Sequence, residues 1–474
     1  MKILFNIILF FICFSFILSN PHEYRKCSLA NSDLRLRPST DENTLSPSGH
    51  FLIHYDNSGT HAPLMEDFNQ NNIPDYIDEV GIIADSSRYI LVDIMGYLPE
   101  ISDSDELYDI YIQDRPSGYY GVNYQDDVIA GASYIVIDNE YEPGEFFTFG
   151  INAMRLTVAH EYFHAIQRAY RTSPSFGDTY FWEMSATWIE DIIVPDGDDY
   201  LFWADDFLND PNQNISDTDG YSIALFGHYL TNIIDHSSNE LESTIIRKFW
   251  EAYSSPSSAF NSMNIVLQNE YQTDFSNSWL DFTSRNHFNG IYENMNNNLY
   301  YHIDQQHLPS LSTSINFLNQ DLNIDLMVTE ESSAFKTLYV NEICSINIES
   351  TITPSSSEYN RMIAIESENL GLNNLGSITD TTYFLDPGTY IHLSYSGYND
   401  SNINTNIYYN SEIDIVMGDA NLNNEVNVVD VVLFINFIFE QVSFNQLQLE
   451  TTDVNFDQEW NVVDIVNIVN LILN

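Results

Sequence analysis

The chain has 474 residues, 15 of them basic and 69 acidic, giving a formal net charge of −54. So large an acidic excess excludes nucleic acid and anionic membrane as partners, because both are held by clustered cations. A hydrophobic fraction of 44% is ample for folded cores, and the length predicts about three domains.

Met1 to Ser19 opens with Lys2, continues as an apolar run and ends in Ile17-x-Ser19, the pattern of a cleavable signal peptide. Secretion to the extracellular space or cell surface is the expected consequence, with an uncleaved anchor as the alternative. No later stretch reaches the roughly eighteen apolar residues of a membrane span, so none is expected in the mature chain. Beyond Cys13, the cysteines are Cys27 and Cys344, which can form one bridge in an oxidising compartment.

Downstream, Asp67, Asn69, Asn71, Asp75 and Asp78 occupy positions 1, 3, 5, 9 and 12 of a loop, a spacing of side-chain oxygens that suits Ca²⁺. Asn72 stands where Gly is usual, and Asn also visits the left-handed conformation. A polar turn is the plain alternative. Leu107 to Gln113 and Ala132 to Asp138 are β-rich runs with polar or Gly-containing flanks, and both predict strands.

Asn152 to Tyr170 contains no Gly or Pro and sets Leu156, Ala159, Phe163 and Ile166 along an apolar stripe, predicting a buried helix. Within it lies His160-Glu161-Tyr162-Phe163-His164. Residues four apart share a helix face, so His160 and His164 can offer two imidazoles to one Zn²⁺, with Glu161 beside the open position. Asp178 to Ile193 predicts a second helix, capped by Asp178 or Thr179, and Glu183 on it follows His164 after eighteen residues. Two imidazoles and one carboxylate leave a fourth position for water, whose pKa zinc lowers toward about 7, with Glu161 placed to take its proton. Two histidines merely hydrogen-bonded in a core are the ordinary alternative.

This constellation resembles the gluzincins, zinc peptidases whose third ligand is a Glu on a following helix, and the eighteen-residue gap is similar to the aminopeptidase N-like pattern. The resemblance implies His160, His164 and Glu183 as ligands, Glu161 as general base, and an α+β zincin-like domain over residues 20–305. Two departures stand out. The Gly-x-Met-Glu-Asn segment of aminopeptidases is missing upstream, which favours an endopeptidase, and Thr187 stands where thermolysin-like enzymes carry Asp. The partner of a ligating imidazole is therefore open between Glu190 and Asp191. Glu190, seven residues from Glu183 on the same face, is also the rival third ligand. Gluzincins stabilise the oxyanion from a Tyr or His on a later helix. Tyr221 to Ile234 predicts such a helix, with Tyr221 the preferred donor and His228 the alternative. The resemblance further offers Ser133 to Asp138 as the edge strand for an extended substrate, against an interior strand.

From Leu308 to Ile415 the runs Leu322–Val328, Thr337–Val340, Ser345–Ile348, Arg361–Glu366 and Thr389–Tyr395 predict a β-sandwich over 308–415, with Asp386-Pro387-Gly388-Thr389 as a turn. The C-terminus then repeats itself at an offset of thirty-four residues. Asp419, Asn421, Asn423, Asn427 and Asp430 align with Asp453, Asn455, Asp457, Asn461 and Asp464, two twelve-residue oxygen-rich loops suited to Ca²⁺. Apolar helices follow at Val431–Phe439 and Ile465–Leu473. The repeat resembles a type I dockerin over residues 418–474, which implies a cohesin-like partner; Asn424 and Gln458 depart from its usual Gly. A calcium-stabilised cap without a partner is the alternative.

The expected fold class is thus multidomain: a zincin-like α+β peptidase domain, an all-β sandwich and a small all-α dockerin-like module. The expected function is secreted, zinc-dependent cleavage of protein or peptide substrates, with Zn²⁺ and Ca²⁺ as cofactors. A non-catalytic surface-binding or assembly protein on a zincin fold is the alternative, which Glu161 disfavours because a scaffold has no use for a base.

Overall fold

The computed structural model describes residues 28–30, 37–237, 239–254, 256–290, 300–355, 359–367, 371–377, 382–412 and 416–473. The expected signal peptide and Cys27 lie outside them, and Cys344 is buried. The chain is multidomain and mixes helices with several sheets. Its described residues fall into two compact units, one from 1–173 with 189–202, the other from 174–188 with 203–474.

In the first unit, β1 (Ser28–Ala30), β2 (Glu42–Leu45) and β3 (Phe51–Tyr55) precede α1 (Asp75–Arg88). Then come β4 (Tyr108–Ile112), β5 (Gly121–Gln125), β6 (Ser133–Ile137) and α2 (Gly150–Tyr170). The sheet runs β1-β5-β6-β4-β3-β2, antiparallel at β5–β6 and β3–β2 and parallel elsewhere. All five residues of β4 and of β6 are buried, as expected of strands covered on both sides. This corrects the edge-strand expectation: Ser133–Ile137 is interior, flanked by β5 and β4. Its run Ser-Tyr-Ile-Val-Ile lacks the polar alternation of a half-exposed edge.

α2 packs on β5 and β6, and α1 packs on α2. Asp75 and Asp78 sit in the first turn of α1, where acidic charge meets the positive end of the helix dipole. α2 begins two residues before the expected Asn152, because Gly150 takes the left-handed φ of 67° that turns the chain into the helix. It ends at Tyr170 as expected, with Arg171 extended and Pro174 following. Among the described residues no helix is long and apolar enough to cross a membrane.

α3 (Thr179–Ile193) and α4 (Tyr200–Asn209) each contribute residues to both units. Asp178 directly precedes α3, its main-chain oxygen accepting from Phe181 N at 3.1 Å, and its carboxylate accepts from Ala259 N at 3.1 Å and Tyr253 OH at 2.9 Å. The second unit continues with α5 (Ala224–Tyr229), α6 (Ile245–Tyr253), α7 (Ala259–Glu270) and α8 (Phe275–Arg285). The expected helix Tyr221–Ile234 is three successive pieces, a tight turn at Tyr221–Ile223, α5, and a wide turn at Leu230–Ile234.

Among the described residues nine strands follow: β7 (Ile315–Leu318), β8 (Leu322–Val328), β9 (Ser333–Val340), β10 (Cys344–Thr353), β11 (Tyr359–Ser367), β12 (Gly371–Ser377), β13 (Tyr383–Leu385), β14 (Thr389–Gly397) and β15 (Ser401–Asn410). They make a sheet β13-β10-β15-β8 and a sheet β12-β11-β14-β9-β7. Ile346, Ile348, Ile403 and Ile407 of the first share one buried cluster with Leu338, Ile363, Ile391 and Leu393 of the second, the inward-facing alternation of a sandwich. Each of the five expected strand runs falls within one of these strands.

The chain closes with α9 (Val428–Ile438), α10 (Gln446–Thr452) and α11 (Val462–Leu473), around a core that includes Val431, Phe434, Phe444 and Ile468. α9 and α11 start three residues earlier than expected. Asn427 caps α9, accepting from Val429 N at 2.9 Å, so Asp430 already lies in the first helical turn; Asn461 accepts from Val463 N at 2.8 Å in the same way.

Candidate metal centre

His160, Glu161 and His164 are all completely buried on α2. The imidazole rings of the two histidines stand at 89° to each other with centroids 4.6 Å apart. Each has its Nδ1 engaged, His160 with Glu190 Oε1 at 2.6 Å and His164 with Gln167 Oε1 at 2.7 Å. Nε2 is therefore the nitrogen that each can give to a metal, oriented by the bond at the other side of the ring. Glu190 takes the outer position beside His160, rather than Asp191, and Gln167 does the same for His164. Gln167 was missed in the sequence, although it follows His164 by three residues and so lies on the same helix face.

Glu183 lies two turns before Glu190 along the continuous helix α3, hence on the same face of it. Ligand atoms of His160, His164 and Glu183 lie within 4.8 Å of one another, and all three residues are buried. The donor set, two imidazole nitrogens and one carboxylate oxygen, suits Zn²⁺ with a position left open.

Glu161 sits against a glycine. A Cβ at Gly121 of β5 would lie 2.9 Å from Glu161 Cγ and 3.2 Å from its Oε1, so the strand approaches Glu161 only because that position has no side chain. Two residues on, Asn123 donates from Nδ2 to the main-chain oxygen of Glu161 at 3.1 Å and accepts from Arg168 Nε at 2.6 Å. Burial pulls the Arg168 guanidinium down to about 10.

Gly220 sets the chain against α3, and the ring of Tyr221 that follows it lies 6.1 Å from that of Trp203. With φ at 90°, a Cβ there would fall 2.5 Å from the Tyr180 carbonyl oxygen and 2.7 Å from Glu183 Cβ, so residue 220 lies directly on α3 beside Glu183. His228, the alternative donor, is engaged through one ring nitrogen. Gly227 packs on Trp188, and His228 Nδ1 meets both carboxylate oxygens of Glu240 at 3.0 Å. Trp188 Nε1, Thr231 Oγ1 and Asn232 Nδ2 also donate to Glu240. Burial pushes the Glu240 carboxyl up, but the charges of His228 and His302 and these hydrogen bonds outweigh it and hold it at about 2.

The three oxygen-rich loops share one backbone plan. In each, the first-position carboxylate accepts from the N–H groups of the fifth and sixth residues: Asp67 from Asn71 and Asn72, Asp419 from Asn423 and Asn424, Asp453 from Asp457 and Gln458. The third-position amides of Asn69, Asn421 and Asn455 accept from that same fifth N–H. The sixth residue has positive φ throughout, 69° at Asn72, 65° at Asn424 and 62° at Gln458, the conformation for which Gly is otherwise chosen. The twelfth residue separates them. Asp430 and Asp464 accept from loop backbone N–H groups, whereas Asp78 Oδ2 accepts from the side-chain amides of Asn69 and Asn71. Asp75 Oδ2 accepts from Phe68 N at 3.0 Å. Burial, together with the charge of Asp430, raises the Asp419 carboxyl above its ordinary value.

No family model and no curated protein matches the chain. Among solved structures, the pre-peptidase C-terminal domain of a Bacillus anthracis collagenase is similar over 20% of this chain and 96% of its own, at 12% identity and a TM-score of 0.17. A periplasmic inhibitor of g-type lysozyme from Salmonella Typhimurium, PliG, is similar over 21% of this chain and 99% of its own, at 7% identity and a TM-score of 0.16. At those scores neither carries an argument about fold or function.

Proposed function

We propose that the chain is a secreted zinc-dependent endopeptidase with a zincin-like catalytic core, carrying a C-terminal dockerin-like calcium module for assembly with a cohesin-like partner. The observation that carries the peptidase reading is the grouping of His160, His164 and Glu183 around Glu161, with Glu190 and Gln167 fixing the outer nitrogens of both imidazoles. When bound, Zn²⁺ supplies a Lewis acid that polarises a carbonyl and acidifies water. Glu161 acts as the base that takes the water proton and passes it to the leaving nitrogen, a role for which its place between the two histidines on one helix suits it. Glu190 and Gln167 hold the imidazoles in the tautomer that presents Nε2. Tyr221, which follows Gly220 in the chain, is the donor we assign to the developing oxyanion. Asp419, Asn421, Asn423, Asn427 and Asp430 would hold one Ca²⁺, with Asp453, Asn455, Asp457, Asn461 and Asp464 holding a second and Asp67, Asn69, Asn71, Asp75 and Asp78 a third.

Metal analysis of the purified mature chain, coupled to an assay on casein, tests the reading. One zinc per chain is expected, with hydrolysis lost to a zinc chelator and restored by Zn²⁺. A zinc-loaded chain that leaves unfolded protein substrates intact overturns it.

A further inference from the structure

β1 and β2 follow one another in the chain yet lie at opposite edges of the six-stranded sheet. Consecutive strands ordinarily pair or neighbour one another. Eleven residues separate them in sequence, of which 37–41 are described. Five strand spacings come to roughly 24 Å, within reach of an extended chain of that length at about 3.3 Å per residue. Arg37 pins the connection to the sheet. Its guanidinium pairs with Asp103 at 2.7 Å, with Asp126 at 3.0 Å and with Asp109 of β4, and lies 4.9 Å from the ring centroid of Tyr134 in β6. β1 therefore belongs to no hairpin, and the order of the other five strands does not depend on it.

The edge that β1 covers belongs to the strand that touches Glu161. Ser28, Leu29 and Ala30 stand opposite Val122, Asn123 and Tyr124 of β5, in parallel register. Gly121 abuts the Glu161 side chain, and Asn123 is bonded to the Glu161 main chain. An extended peptide laid along this edge runs past the base, and main-chain pairing gives it affinity with little demand on its sequence.

We propose that the outer edge of β5 is a docking edge for extended peptide, held in this chain by its own residues 28–30, so that the N-terminal segment and an incoming peptide compete for one ladder. That the incoming peptide is a substrate rests on the peptidase reading; the competition itself does not.

The test uses the full chain with a specific-protease site inserted between Ser39 and Thr40, so that the segment ahead of it can be cut away after purification. Three quantities are read on intact and cut protein: hydrogen exchange of residues 121–125, binding of a fluorescent peptide copying residues 26–32 with Cys27→Ser, and casein hydrolysis. A segment that closes the edge nine-tenths of the time reduces the apparent affinity of a competing peptide by about 10-fold. Cutting is accordingly expected to speed exchange at Val122–Tyr124, to tighten binding of the labelled peptide by about that factor, and to lower KM for casein with kcat unchanged. Unlabelled oxidised insulin B chain should displace the labelled peptide. Arg37→Ala, which loosens the connection without touching β5, is expected to move the intact chain part of the way. Equal exchange and equal peptide binding in intact and cut protein overturn the inference, even where both digest casein. Competition without digestion in either form supports the docking edge and overturns the peptidase reading instead.

Discussion

The candidate zinc site and the candidate C-terminal calcium loops assemble metal donors by opposite means. His160, Glu161 and His164 are buried in a helix, and Glu190 of another helix and Gln167 of the next turn fix the rings from behind, so packing orients the donors before any metal arrives. The loops at 419–430 and 453–464 are local objects in which backbone N–H groups of the same twelve residues fold around the carboxylates. The difference teaches where metal and fold are coupled. If the sites bind as proposed, loss of Zn²⁺ would leave a packed helix with its imidazoles still held, whereas loss of Ca²⁺ would leave the clustered carboxylates of each loop facing one another.

The largest effect expected separates a ligand from its support. Glu190→Ala removes the group behind His160 and should weaken zinc binding by about 10–100-fold, while Glu183→Ala removes a ligand and should weaken it by far more, read by competition with a chromogenic chelator. The reverse order would move the third ligand to Glu190.

Calcium removal sharpens the other side. At a free Ca²⁺ concentration one hundred times its Kd, each C-terminal loop gains about 2.7 kcal/mol, which EGTA should abolish. Hydrogen exchange on the full chain should then quicken at residues 419–464 and stay unchanged along α2. Equal quickening in both places would erase the contrast between a packed site and a metal-dependent one.

A smaller, pH-dependent effect belongs to Glu240, a carboxylate fixed like the candidate zinc site by distant partners. Its folded pKa of about 2 lies below the ordinary 4.5, so its contribution is complete above pH 4.5 and is lost as pH falls toward 2. The loss is at most about 3 kcal/mol. Local exchange around α5 at pH 5.5 and pH 3 should show that dependence in the native chain and a much flatter one in Glu240→Gln.

The same contrast explains what was legible in the sequence. Features fixed within a few residues could be read directly: the helix through His160 and His164, the loops at 67–78, 419–430 and 453–464, and strand runs such as Leu322–Val328. Features fixed from far away could not. Whether Glu190 or Asp191 backs His160, that Ser133–Ile137 is interior, and that Gly121 lies against Glu161 all depend on which elements meet. The helix expected from Tyr221 is three pieces, and Gly220 and Gly227 press on α3, a contact absent from the local pattern. β1 escaped notice because its partner, β5, lies about ninety residues away.

Glu161→Gln tests the central claim most directly, because it removes the base and leaves every proposed ligand in place. The substitution should keep one Zn²⁺ per chain and unchanged zinc affinity while casein hydrolysis falls by about 10²–10⁴-fold. Undiminished hydrolysis in zinc-loaded Glu161→Gln would contradict the mechanism.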